Sequence, residues 1–105
     1  MAHQLTRTYP QHPFDHQKWI DANESPKGAT VRYCMVHDLE KRYKLVGMTK
    51  DELTALLGTN YSHASGSKKS LCYYLGCVRM VNTWICFHMA GDKVSRYTMF
   101  CEPID

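Results

Sequence analysis

The sequence has no long hydrophobic run, no Gly-rich loop of the kind that binds phosphate, and no C-x-x-C pair. A membrane-spanning helix needs about 20 consecutive apolar residues, so no membrane span is expected. The N-terminal segment is polar and lacks the apolar stretch of a secretory signal peptide. Nucleotide binding through a phosphate loop is not expected either.

A strong charge of either sign is also missing. The formal net charge is +3 and the isoelectric point is about 8.6, below the value of roughly 9 that is typical of a nucleic-acid-binding domain. Lys68, Lys69 and Tyr61, with Tyr73 and Tyr74, could form a stacking patch for bases. A solvated loop beside core aromatic residues is the preferred interpretation, so no nucleic-acid partner is predicted.

The cysteines are few and scattered. The five are Cys34, Cys72, Cys77, Cys86 and Cys101. An odd, dispersed set argues against a disulfide framework and for a reducing compartment. We therefore expect small buried apolar side chains rather than bonded pairs, and a cytoplasmic location. A cell-envelope location is the alternative if a signal peptide has been removed.

The strongest local pattern lies at residues 44–58. Thr49 followed by Glu52 is a capping box, because each side chain can pair with a free N–H at the start of a helix. Leu53, Leu56 and Leu57 then fall on one helical face. The pattern predicts a helix over residues 49–57 that packs on the core.

The remaining pattern predicts an α+β fold. A short helix at 15–22 and a long helix at 30–43 precede the capped helix, and the hydrophobic period then changes to two, with strands expected at 71–77, 83–90 and 94–101. On the long helix, the side expected to face solvent carries Arg32, Asp38, Glu40, Lys41 and Arg42. We predict two helices packed on one face of a three-stranded antiparallel sheet, a flexible N-terminal arm at 1–13 and a single domain at 14–105.

Within that fold, a mobile loop is expected at 59–70. The predicted core residues are Leu39, Met48, Leu53, Leu56, Leu57, Ile85, Phe87 and Met89.

Several short motifs resemble the SmpA/OmlA, or BamE-like, domains. They are L-V-G-M-T-K-D-E-L at 45–53 with L-L-G at 56–58, Y-Y-L-G at 73–76, I-C-F at 85–87 and G-D-K-V at 91–94. Those domains are small helix–helix–sheet units, similar in architecture to one repeat of the β-lactamase inhibitor protein. The resemblance covers about residues 30–101 and implies a protein-binding module rather than an enzyme.

No set of residues predicts catalysis. His12, Asp15 and His16 could share a helix face, but zinc needs three or four ligands and no further one is evident. The cysteines and histidines show no local pattern that places a base beside a thiol. We predict no catalytic residue, metal or cofactor. A thiol- or metal-dependent enzyme remains an alternative, as does a small inhibitor or immunity-type protein.

A candidate binding surface follows from strand parity. If Gly91 and Asp92 form a two-residue turn, Met89 faces Val94 and His88 faces Ser95. The face predicted to lie under the helices then carries Ile85, Phe87, Met89, Val94 and Phe100, and the opposite face carries Trp84, Cys86, His88, Tyr97, Met99 and Cys101.

That opposite face is too apolar to meet water alone. Phe14 and Trp19 of the N-terminal segment could cover this face, or a second copy of the chain could cover it in a homodimer. The sharper hypothesis is a protein partner bound through Trp84, His88, Tyr97 and Met99.

Overall fold

The structure is a computed structural model that describes residues 12–22, 31–63, 69–78 and 81–103. The predictions for residues 1–11, for Thr30 and for the middle of the 59–70 loop therefore lie outside the described residues, and so does Lys68 of the stacking patch considered above.

In the ranges that the structure describes, three helices precede a three-stranded antiparallel sheet. The elements are α1 (His16–Asp21), α2 (Val31–Arg42), α3 (Lys50–Leu57), β1 (Ser70–Val78), β2 (Val81–Ala90) and β3 (Lys93–Pro103). The strand order is β1-β2-β3. The predicted α+β layout is confirmed, and each predicted helix and strand matches an observed one to within a few residues.

Helix α3 begins as the capping box predicts. The Thr49 hydroxyl accepts from the Glu52 N–H at 3.1 Å, and the Glu52 carboxylate accepts from the Thr49 N–H at 2.9 Å. Leu53 and Leu57 are buried, while Leu56 is half-buried against the core. The local pattern therefore fixes both where the helix starts and which face it buries.

The N-terminal segment docks into the helical layer through Trp19. Asp15 caps α1 by accepting from the Lys18 N–H. Trp19 is fully buried, its indole N–H donates to the Leu57 carbonyl at 3.1 Å, and its ring lies 6.2 Å from that of Tyr73 in β1. The expectation that this segment could cover the opposite face of the sheet is wrong, because Trp19 lies between the helices and the sheet.

The core lies between the helices and one face of the sheet. Of the predicted core residues, Leu39, Leu53, Leu57, Ile85 and Phe87 are buried, and Met48, Leu56 and Met89 are partly buried against them. The chain also buries large residues that were not in the predicted set: Trp19, Tyr73, Met35, Leu71 and Leu75. Tyr73 is central because its ring contacts both Trp19 and Phe87.

The expectation that Arg32 faces solvent is wrong. It is only 3% exposed, and its guanidinium lies 4.9 Å from the centre of the Trp19 ring. Nε donates to the Trp19 carbonyl at 2.8 Å and Nη1 to the Tyr74 carbonyl at 3.2 Å. The buried cation thus links α1 to β1 through backbone acceptors, which offset part of the cost of its desolvation.

Cys72 and Cys86 form a disulfide across β1 and β2. They are directly opposite one another, with their Cα atoms 4.0 Å apart. The expectation of unbonded cysteines was wrong for this pair, because the pairing register brings together two residues that are 14 positions apart. Cys34 is buried, and Cys101 is an exposed free thiol.

Candidate functional site

The predicted binding surface is divided by a bulge in β3. The two-residue turn is confirmed, since Ala90 pairs with Lys93 and Met89 with Val94. The register then shifts by one residue at Ser95, so His88 faces Arg96 instead of Ser95. A bulge of this kind places two residues of one strand opposite one of its neighbour. Four residues beyond Ser95 therefore lie on the face opposite to the one predicted: Tyr97, Met99, Phe100 and Cys101.

The four predicted site residues consequently lie on two faces. Trp84 and His88 are on the outer face, away from the helices. Tyr97 pairs with Phe87 and Met99 with Ile85, which places both on the helix side of the sheet. The prediction of a single surface formed by Trp84, His88, Tyr97 and Met99 is therefore wrong. Phe100 was expected under the helices but pairs with Trp84 on the outer face, while Cys101 pairs with Thr83.

On the helix side, Tyr97 is a packing residue. Its ring lies 5.5 Å from that of Phe87, and its hydroxyl donates to the Glu40 carboxylate of α2 at 3.1 Å. Burial raises the pKa of the Tyr97 phenol, and the bond to Glu40 raises it further. Met99, two residues further along, is 45% exposed. Tyr97 therefore joins the strand to the helical layer, and Met99 is left open to a partner.

On the outer face, an aromatic row crosses the three strands. Tyr74, Trp84 and Phe100 occupy directly opposite positions on β1, β2 and β3. The rings of Tyr74 and Trp84 are 4.9 Å apart, and Phe100 is 52% exposed at the end of the row. Trp84 Nε1 is buried without a hydrogen-bond partner in the part of the chain that the structure describes.

His88 lies on the same face and contacts a hydroxyl group of β3. Its Nε2 is 3.4 Å from the Thr98 hydroxyl. Burial lowers the pKa of the imidazole, and the nearby charge of Arg96 lowers it further. These surroundings favour the neutral form of the imidazole. The neutral ring makes a weak polar contact with Thr98 on a mainly apolar face.

Among the described residues, the backbone of β3 presents unpaired groups at the edge of the sheet. The short Cα separation of Cys72 and Cys86 marks a non-hydrogen-bonded pair, so Cys86 directs its N–H and C=O toward β3. The outward bonds of Cys72 agree, because its N–H and C=O both pair with Ser62. Alternation along the ladder then directs the N–H and C=O of Tyr97, Met99 and Cys101 away from β2.

We call the outward backbone groups of Tyr97, Met99 and Cys101 the free edge of β3. This edge has a defined end on each side. At one end, Val94 exchanges backbone bonds of 2.8 Å with Gly47 and Met48. At the other, Pro103 has no N–H to donate. Between these ends, no backbone partner beyond β2 is found among residues 12–22, 31–63, 69–78 and 81–103.

The metal hypothesis finds no support in the described residues. His16 Nδ1 lies 2.9 Å from the Leu56 carbonyl, and the Asp15 carboxylate is used as the cap of α1. Across the segments that the structure describes, no group of three or more histidine, cysteine, aspartate or glutamate residues is placed to hold a metal ion.

A groove of about 530 Å³ lies beside the N-terminal segment and α2. It is lined by His12, Pro13, Phe14, Asp15, Lys18, Val31, Cys34 and Met35. Asp15 caps α1 and Phe14 packs in the core, so neither is free to orient a ligand in the groove.

Comparison with protein-family models, with curated proteins and with solved structures finds no match to this chain. Within the described residues, no helix is both long enough and apolar enough to cross a membrane.

Proposed function

We propose that this chain is a non-catalytic protein-binding module that binds by adding a partner strand to the free edge of β3. The observation that carries the proposal is the row of outward backbone groups at Tyr97, Met99 and Cys101. An edge strand with unpaired N–H and C=O groups is a template for another strand, and natural proteins usually protect such edges. Binding of this kind takes affinity from backbone bonds and specificity from alternating side chains.

The side chains beside the edge fit this role. Met99 on the helix side and Phe100 on the outer side are 45% and 52% exposed, and both are large and apolar. Methionine and aromatic residues are enriched at the centres of protein interfaces. An added strand would cover Met99 on one face and extend the aromatic row of Tyr74, Trp84 and Phe100 on the other.

The resemblance to the SmpA/OmlA domains supports the same class of function, since it implies a protein-binding module. The Cys72–Cys86 disulfide bears on the location of the protein. Stable disulfides are rare in reducing compartments. The disulfide favours the cell-envelope alternative over the cytoplasmic location expected from the cysteine count, and we include that location in the proposal.

A backbone substitution tests the proposal. Proline is tolerated on an edge strand where its missing N–H would face solvent, so Met99→Pro should fold and yet block strand addition. Met99→Ala is the matched control, because it removes the side chain and keeps the N–H. Each tagged variant is used to capture proteins from cells that natively produce the chain, and circular dichroism checks the fold.

We expect the proteins captured by the wild type, including any untagged copy of the chain, to be lost with Met99→Pro and largely retained with Met99→Ala. Capture of an unchanged set of proteins by a folded Met99→Pro variant would refute binding at this edge.

A further inference from the structure

We infer that the partner at the free edge of β3 is a second copy of this chain, paired β3 to β3 in antiparallel orientation about a two-fold axis at Met99. This inference rests on the proposed function and names its partner. It would join two three-stranded sheets into one continuous sheet.

The free edge is symmetric about Met99, which is the first argument. The outward residues are Tyr97, Met99 and Cys101, so Met99 is the middle one. The bonds of Val94 to Gly47 and Met48 close one end, and Pro103 closes the other. A two-fold axis at Met99 pairs Met99 with itself and Tyr97 with Cys101 of the second copy. All the outward groups are then used, giving about six backbone bonds, two for each of three pairs.

Charge complementarity gives the second argument. In the same register, Arg96 of one copy stands directly opposite Glu102 of the other, and the symmetry repeats this pair at both ends of the interface. Opposite charges at directly opposite positions of an antiparallel pair are stabilising, and like charges there are destabilising. The edge is therefore self-complementary, as an isologous interface requires.

The neighbouring registers lose both the full set of backbone bonds and the pairing of opposite charges. An axis at Tyr97 would set Arg96 opposite Thr98 and carry the second copy past Val94, where Gly47 and Met48 already occupy the edge. An axis at Cys101 would set Met99 opposite Pro103, which has no N–H. Met99 is the axis that satisfies both the backbone and the charges.

The side chains agree with this axis. Met99 would meet Met99 of the second copy on the helix side, and Phe100 would lie opposite Thr98 on the outer side. Pairing would therefore cover the two most exposed large apolar residues of the strand.

The test is a charge exchange measured by sedimentation equilibrium across a wide range of chain concentrations. All variants carry Cys101→Ser, so that no dimer can arise through the exposed Cys101 thiol. Arg96→Glu places two acids opposite each other, and Glu102→Arg places two arginines opposite each other. The double variant Arg96→Glu/Glu102→Arg restores opposite charges, and Lys41→Glu on the exposed end of α2 controls for net charge.

We expect a wild-type mass of twice the 12.2 kDa chain mass at high concentration. Each single variant should weaken self-association by about tenfold, because two attractive pairs become repulsive. The double variant and an equimolar mixture of the two single variants should both recover it, whereas Lys41→Glu should leave it unchanged.

Two results would overturn the inference. The first is a wild type that stays monomeric at every concentration. The second is a dimer that is indifferent to both single charge variants, which would place the contact elsewhere. In either case the Met99→Pro capture experiment still decides the proposed function: loss of another captured protein would keep the edge as a binding site with a different occupant.

Discussion

The hydroxyl of Tyr97 donates to the carboxylate of Glu40 at 3.1 Å, linking β3 to α2 across 57 positions of the sequence. With the ring packed on Phe87, this bond holds the helix side of the edge strand against the helical layer. Met99 lies beyond that contact and stays 45% exposed. The Tyr97–Glu40 contact therefore helps to position the strand whose edge we propose as the binding site.

Tyr97→Phe should lower the free energy of unfolding by about 1 kcal/mol, because it removes one partly exposed hydrogen bond and keeps the ring contact. Urea denaturation measures the change. Tyr43→Phe is the matched control, since Tyr43 is half-buried in the same core and no hydrogen bond of its hydroxyl is found in the described residues. Equal losses for the two variants would show that the Glu40 bond contributes nothing.

Reduction of the Cys72–Cys86 disulfide should lower the free energy of unfolding by about 3 kcal/mol, the value expected for a closed loop of this length. Denaturation with and without a phosphine reductant gives the difference. Cys72→Ala/Cys86→Ala should be insensitive to the reductant, and Cys101→Ser should respond as the wild type does. A wild type of unchanged stability in the reductant would contradict the prediction.

Leu53→Ala should cost about 2–5 kcal/mol, because Leu53 is fully buried at the inner face of α3. Leu56→Ala on the same helix should cost less, since Leu56 is only half-buried. Thermal and urea denaturation of both variants give the comparison. Similar losses at the two positions would mean that α3 turns a different face toward the core.

Asp38 should give the fold a pH-dependent contribution below about 3.8, the ordinary pKa of its carboxyl group. The Phe14 N–H donates to the carboxylate at 2.7 Å and lowers its pKa in the folded state, and the bond from Arg42 lowers it further. The unfolded chain therefore takes up the proton first as the pH falls. The contribution is complete above 3.8 and is lost as the pH falls through the lower folded-state pKa.

Asp38→Asn should accordingly be less stable than the wild type near neutral pH, and the two should converge in acid. Urea denaturation at a series of pH values measures this difference. Arg42→Gln should keep most of the pH dependence, because the Phe14 N–H is the larger cause of the lowered pKa. A constant difference between wild type and Asp38→Asn at all pH values would refute the prediction.

The order and type of the elements could be predicted from the sequence because their determinants are local. The Thr49–Glu52 capping box, the spacing of the leucines in α3 and the two-residue turn at Gly91 each act over a few residues. The structure bears out all three. These determinants were sufficient for the α+β layout.

The faces of β3 could not be predicted from strict alternation, although the sequence held a clue. With Val94 facing the helices, unbroken alternation would direct Arg96 and Thr98 toward the core. The extra residue at Ser95 turns both polar residues outward and directs Tyr97 inward. The cost of burying a charged side chain at position 96 was the physical reason to expect a bulge.

The disulfide and the buried Arg32 depend on contacts distant in sequence. Cys72 and Cys86 meet only because the β1–β2 register places them opposite each other, and a count of cysteines carries no register. Arg32 is satisfied by the carbonyls of Trp19 and Tyr74, which are brought together by the docking of α1. Tertiary structure determines both features, and no local sequence pattern predicted either of them.

The extra residue at Ser95 also means that one position of β3 can be lost without changing the surfaces of the sheet. Deleting Ser95, with Val94 still held by Gly47 and Met48, would leave Val94 opposite Met89 and Arg96 opposite His88 in a regular ladder. Tyr97 and Met99 would stay on the helix side, and Phe100 would stay beside Trp84. Two descendants of this gene that differ by this one codon would thus offer the same surfaces on the same fold.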